Sequence, residues 1–247
     1  MKKSLLLLSA AVIVAAGISS CNKGTTNTTS NGNSAPSVNT PSNADGALAA
    51  VKVITTQTVA GYTVPINIGT AAAWFGLSAT HQDAGNVTVD GNALTNQSNN
   101  YVFQPSQTTP TGLDFNSSVA WNVTGNTSNG ITGFSYTDQS SFPTIDDVQT
   151  PTSVSHSAPF TLTASGYVSG DSVIFVVSGG SGHVSFIAPG GTSSHTFSAA
   201  EMATVGAAAN NTGLLQIAPY RINHQTINGK SYYFVKETCA NKFVTID

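Results

Sequence analysis

Cysteine is nearly absent: Cys21 and Cys239 are the only two in 247 residues. Charge is as scarce, with Asp, Glu, Lys and Arg together making up 8% of the chain. The few basic residues do not cluster. A nucleic-acid interface needs a basic patch, so that class is excluded. Folding must rest on apolar burial and backbone pairing. Helix signals are also few. Ser198-Ala199-Ala200-Glu201 has capping-box spacing and predicts one or two turns ended by Gly206. The alanine runs at 71–73 and 207–209 are too short to be helices on their own.

The one long apolar run, 5–16, is too short to span a bilayer as a stable helix. Lys2 and Lys3 precede it, and Ile18-Ser19-Ser20-Cys21 closes it with small residues. Positive start, apolar run and small-residue cleavage site make residues 1–20 a secretory signal peptide. The closing tetrapeptide resembles the lipobox of bacterial lipoproteins, with Ile18 and Ser20 where Leu and Ala or Gly are commoner. That resemblance implies that Cys21 becomes the first residue of the mature chain. It also implies diacylglycerol on the Cys21 sulfur and an acylated amine. More than one acyl chain gives stable membrane anchoring. With Cys21 lipidated, no intramolecular disulfide can form, and Cys239 is expected as a small buried hydrophobe. Loss of Lys2 and Lys3 leaves six basic residues against eleven acidic ones.

Residues 22–45 are nearly all Thr, Asn, Ser, Gly and Pro. So few apolar groups cannot offset the entropy of ordering, and 21–46 reads as a lipidated cysteine on a disordered tether. Such a chain spans roughly 25–30 Å.

From Ala47 onward the signal is period two. Tyr62, Val64, Ile66 and Ile68 alternate with other residues, as do Val119, Trp121 and Val123. The unbroken run 173–177 reads as a strand covered on both sides. Asp90-Gly91 and Asn228-Gly229 are two-residue hairpin signals. The chain is therefore all-β. Thr144 to Ser157 has few apolar residues and holds Asp146, Asp147 and Pro151, so a boundary is placed near Thr150. Two tandem β-sandwiches, 47–149 and 150–247, have the size of immunoglobulin-like domains. One larger sandwich is the alternative.

Gly170-Asp171-Ser172-Val173 is the most tempting catalytic string. It lacks the fourth residue of the Gly-Asp-Ser motifs of hydrolases and reads better as a turn feeding a strand, with Asp171 closing an Asx-turn. With the residues before it, it resembles a corner of bacterial immunoglobulin-like modules. Asp171-Ser172-Val173 also resembles the acceptor triplet of Bacteroidetes O-glycosylation, which makes Ser172 a candidate acceptor. His81, His156, His183, His195 and His224 show no metal-ligand spacing, so neither metal nor cofactor is expected. Gly179-Gly180-Ser181-Gly182 is expected as a hairpin loop, because no helix start or P-loop Lys follows it.

Trp121, flanked by Val119 and Val123, is expected in a core. Trp74 and Phe75 are adjacent and must point to opposite faces of a strand, leaving one as a candidate ligand-contact aromatic. The whole resembles Bacteroidetes-type lipoproteins with immunoglobulin-like β-sandwich domains. The expectation is a non-enzymatic lipoprotein of the cell envelope, at the outer membrane. It would act as a binding or structural module, held by the anchor on Cys21. Its partner would be a glycan or another envelope protein. A glycan-binding accessory protein is the alternative, and a serine hydrolase centred on Ser172 a remote third.

Overall fold

The computed structural model describes residues 44–59, 62–76, 80–106 and 108–247. The signal peptide, Cys21 and the polar segment to residue 43 lie outside the described residues.

The chain opens with a long hairpin, β1 (Gly46–Val59) and β2 (Tyr62–Phe75). Four short strands follow: β3 (Val87–Val89), β4 (Asn92–Ala93), β5 (Thr95–Gln97) and β6 (Asn100–Phe103). β7 (Val119–Asn126) and β8 (Ile131–Asp138) form another hairpin. Next come β9 (Ile145–Val148), β10 (Phe160–Val168), β11 (Ser172–Ser178), β12 (His183–Pro189) and β13 (Ser194–Phe197). One helix, α1 (Ala199–Val205), precedes the final hairpin, β14 (Ala208–Ile227) and β15 (Lys230–Ile246).

Among the described residues the strands form three sheets. The large one has the order β12-β11-β14-β15-β1-β2-β6-β5. The small ones are β4-β3-β7-β8 and β13-β10-β9. Both small sheets pack against one face of the large sheet, here the first face. Phe75, Tyr101 and Phe234 meet Val87, Trp121 and Phe134 in one core. Phe175, Val177 and Ile217 meet Leu162, Phe197 and the helix residue Met202 in a second. On β7 the expected alternation holds, with Val119, Trp121 and Val123 buried and Ala120 and Asn122 exposed.

The boundary expected near Thr150 does not divide the sheets. The large sheet takes β1, β2, β5 and β6 from before it and β11, β12, β14 and β15 from after it. β1 runs parallel to β15 from Gly46↔Tyr232 to Thr55↔Asn241, joining the two ends of the fold. The molecule is one sandwich with two cores on a shared sheet, in place of two tandem sandwiches. Asp146 and Asp147 accordingly lie on β9 and not in a linker, with Asp147 3.0 Å from Lys242. The fold also starts earlier than residue 47. Ala44 is buried, and the Asp45 carboxylate accepts the Ser231 N–H at 2.8 Å.

Local signals are realised closely. Asp90 and Gly91 have φ of 46° and 78°, and Asn228 and Gly229 of 53° and 77°, the left-handed pair a tight hairpin needs. The Ser198 hydroxyl accepts the Glu201 N–H while the Glu201 carboxylate accepts the Ser198 N–H. The 179–182 segment is a hairpin loop closed by Gly179 N–H to the Gly182 carbonyl.

Candidate functional site

Phe75 is 0% exposed and lies in the first-face core against Tyr101 and Tyr232, at ring separations of 5.7 and 6.2 Å. Trp74 points to the other face, as adjacency requires, but is only 2% exposed. It stacks on His81 at 5.2 Å and packs with Ala44, Ala47 and Tyr233. Neither residue offers an aromatic surface, which corrects the expected ligand-contact role. Both faces of β2 are covered at this point, so strand alternation selects between two interiors.

Ser172 opens β11 opposite Tyr220 and hydrogen-bonds its phenol. Asp171 accepts the Ile222 N–H at 3.1 Å and so fixes the turn before the strand. The histidines are engaged elsewhere: His81 with Asn100, His156 with the Asp247 carbonyl, His195 stacked on Phe186, His224 on Tyr233. The string is a strand entry, but the Asp171 carboxylate reaches across to β14 and does not close the expected Asx-turn. As a glycan acceptor, Ser172 presents a half-buried hydroxyl tied to a neighbour. Cys21 is outside the described residues. Among the described residues no group of three or more His, Cys, Asp or Glu could hold a metal ion.

The second face of the large sheet holds the feature that the sequence reading passed over. Strand register lays it out in rows. Ser172, Tyr220, Glu237, Val51 and Thr70 stand opposite one another across five strands. On one side lie Ile187, Ile174 and Ala218, continued by Cys239, Val53 and Ile68. On the other lie Ile222, Val235, Ala49 and Ala72, then His224, Tyr233, Ala47 and Trp74. Among the described residues, the apolar cluster on this face draws only on strands of the large sheet itself. Its centre is nevertheless shielded: Ile174, Val176, Ala218, Val235 and Cys239 are buried, while Ile66, Ile187 and Ile222 at its margins are only partly so.

Along this face stand several polar groups. Glu237 shows part of its surface as a residue, but burial of its carboxyl pushes the pKa up to about 7. The three ion pairs among the described residues all lie elsewhere. Cys239 is 0% exposed, and its thiol donates to Asn241 Oδ1 at 3.0 Å. Burial, and then the charge of Glu237, raise the Cys239 pKa well above the usual thiol range. Burial likewise raises the Tyr220 phenol. Apolar walls around a few convergent polar groups are the make-up of a small-molecule site. The sequence signal was available: Lys236-Glu237 interrupts an otherwise apolar strand, 232–240, and adjacent strand residues face opposite ways.

Lys236 faces the first core and is 1% exposed. Its ammonium donates to the carbonyls of Ser117 at 2.9 Å and Asp138 at 3.1 Å, and also to that of Ser140. The Asp138 carboxylate lies 3.7 Å away. Burial lowers the Lys236 pKa, and Asp138 opposes that shift. With its donors met by fixed carbonyls, Lys236 is a clamp between the large sheet and the loops flanking β7 and β8.

Comparison of the chain with protein-family models, with curated proteins and with solved structures finds no match in any of the three.

Proposed function

We propose that the chain is a lipid-anchored protein of the cell envelope, at the outer membrane, that binds a small apolar molecule and catalyses no reaction. The anchor rests on the signal peptide ending at Cys21. The observation that carries the binding reading is the second face, where an apolar cluster surrounds the desolvated Glu237 carboxyl. Ala44 packs on Trp74 and Tyr233 at one end of that face.

The anchor is tested by metabolic fatty-acid labelling, in which Cys21→Ala should abolish the label and persistence of label would overturn it. The binding reading is tested with N-phenyl-1-naphthylamine, an apolar fluorophore bright only out of water. Its fluorescence should rise to saturation with the mature Cys21→Ser chain, and Val53→Lys should remove the rise. No rise with the unaltered face, or an unchanged rise in Val53→Lys, would contradict it.

A further inference from the structure

A lysine and an aspartate buried together in an apolar core destabilise it, because each ion gives up its hydration. Lys236 and Asp138 are such a pair, with side chains 2% and 3% exposed and Nζ 3.7 Å from Oδ1. Lys236 stands on β15 of the large sheet, and Asp138 ends β8 of the small sheet packed against it. The Phe142 ring lies beside the ammonium, its centroid 5.3 Å from Nζ.

Both groups are held in place. Hydrogen bonds to the carbonyls of Ser117, Asp138 and Ser140 fix Nζ. The Ser140 N–H and hydroxyl both donate to Asp138 Oδ1, at 2.8 and 2.7 Å. Two donors on one carboxyl oxygen are the arrangement that stabilises an oxyanion when a nucleophile adds to the carbon. Burial lowers the Lys236 pKa against the opposing pull of Asp138, which brings the neutral, nucleophilic amine within reach. Fixing the two reactants side by side removes the entropic cost of bringing them together. Exclusion of water from the core favours condensation over hydrolysis.

We propose that Lys236 and Asp138 condense within the folded chain to an amide between Nζ and Cγ. A proton passes from the ammonium to Asp138 Oδ2. Nζ then adds its lone pair to Cγ, and the carbonyl pair moves onto Oδ1, where the two Ser140 donors hold it. A second proton moves from Nζ to Oδ2. The Cγ–Oδ2 bond breaks, the oxygen leaves as water with the bonding pair, and the double bond to Oδ1 re-forms. Ammonium and carboxylate thus become one amide and one water, with no oxidant, reductant or cofactor. Each chain reacts once. The product removes two buried charges and makes the contact between β15 and β8 covalent.

The experiment measures the intact mass of the mature Cys21→Ser chain, folded and then denatured. The chain should be lighter by one water than its sequence requires. Chymotryptic digestion should release a branched peptide, and tandem mass spectrometry should locate the branch between Lys236 and Asp138. Asp138→Ala and Lys236→Arg should each have the full mass of their sequences. Asp138→Asn should instead lose one ammonia, because the side-chain amide nitrogen is then the leaving group. Should these variants not fold, the branched peptide of the unaltered chain decides alone. Full mass in the folded, unaltered chain overturns the proposal. Water lost elsewhere also overturns it: Asp90-Gly91 can shed one water by closing a succinimide. A loss that persists in Lys236→Arg, or that maps to Asp90, would reveal that reaction instead.

Discussion

Trp121 and Trp74 test opposite sides of the same sandwich. Trp121 lies in the first-face core between Val119 and Val123, and Trp74 on the second face against His81 and Tyr233. Both are 2% exposed. Truncating a buried Trp costs about 3–5 kcal/mol. Trp121→Ala and Trp74→Ala should therefore each lower the denaturant midpoint strongly, and a small loss for Trp74→Ala would mean that its side of β2 is open to solvent. Glu237 makes a different demand. Its carboxyl is raised from an ordinary 4.5 to about 7 in the folded chain. Between those values the folded state binds more protons than the unfolded one, so stability falls as pH rises from about 4.5 to about 7 and is level beyond. The full effect is at most roughly 3 kcal/mol. Glu237→Gln should flatten that slope and be the more stable form at about pH 8, as read in urea melts; an unchanged slope would place the titration on another group.

At the scale of elements, what could be read in the sequence was what neighbours in the chain decide. Asn228-Gly229 needs only its own φ angles, and the Ser198 cap needs only Glu201 three residues on. Added to Gly229, a Cβ would meet nothing within 4 Å, so the cost of Gly229→Ala is torsional and not steric. It should be about 1–2 kcal/mol, measurable as a lowered thermal midpoint; no change would mean that the β14–β15 turn is not held in the left-handed region. The partner of β1 could not be read this way. Alternation in β1 reports two faces but not which strand lies beside it, and β15 begins 171 residues after β1 ends. Trp74 was misread for a related reason. Its cover comes from Ala44, His81 and Tyr233, three separate parts of the chain. Glu237 was legible in principle, as a charged pair breaking an apolar strand, but only the register shows that it shares a row with Tyr220 and Ser172.

For the whole molecule, the shared sheet has a consequence that tandem domains would not. Separated at Thr150, the first part would lose β15 beside β1 and the second would lose β1 beside β15. Fragments 44–149 and 150–247 should each be unfolded alone by circular dichroism and regain sheet structure only when mixed. Independent folding of either would restore the two-domain reading. The same continuity makes the second face possible, because its rows run from β11 through β14 and β15 to β1 and β2 without a break. The binding account rests on the carboxyl at the centre of those rows, and carbon-13 NMR of Glu237 in the mature Cys21→Ser chain observes it directly. The account predicts titration at about pH 7 in the free protein. Titration in the ordinary carboxylate range would contradict it.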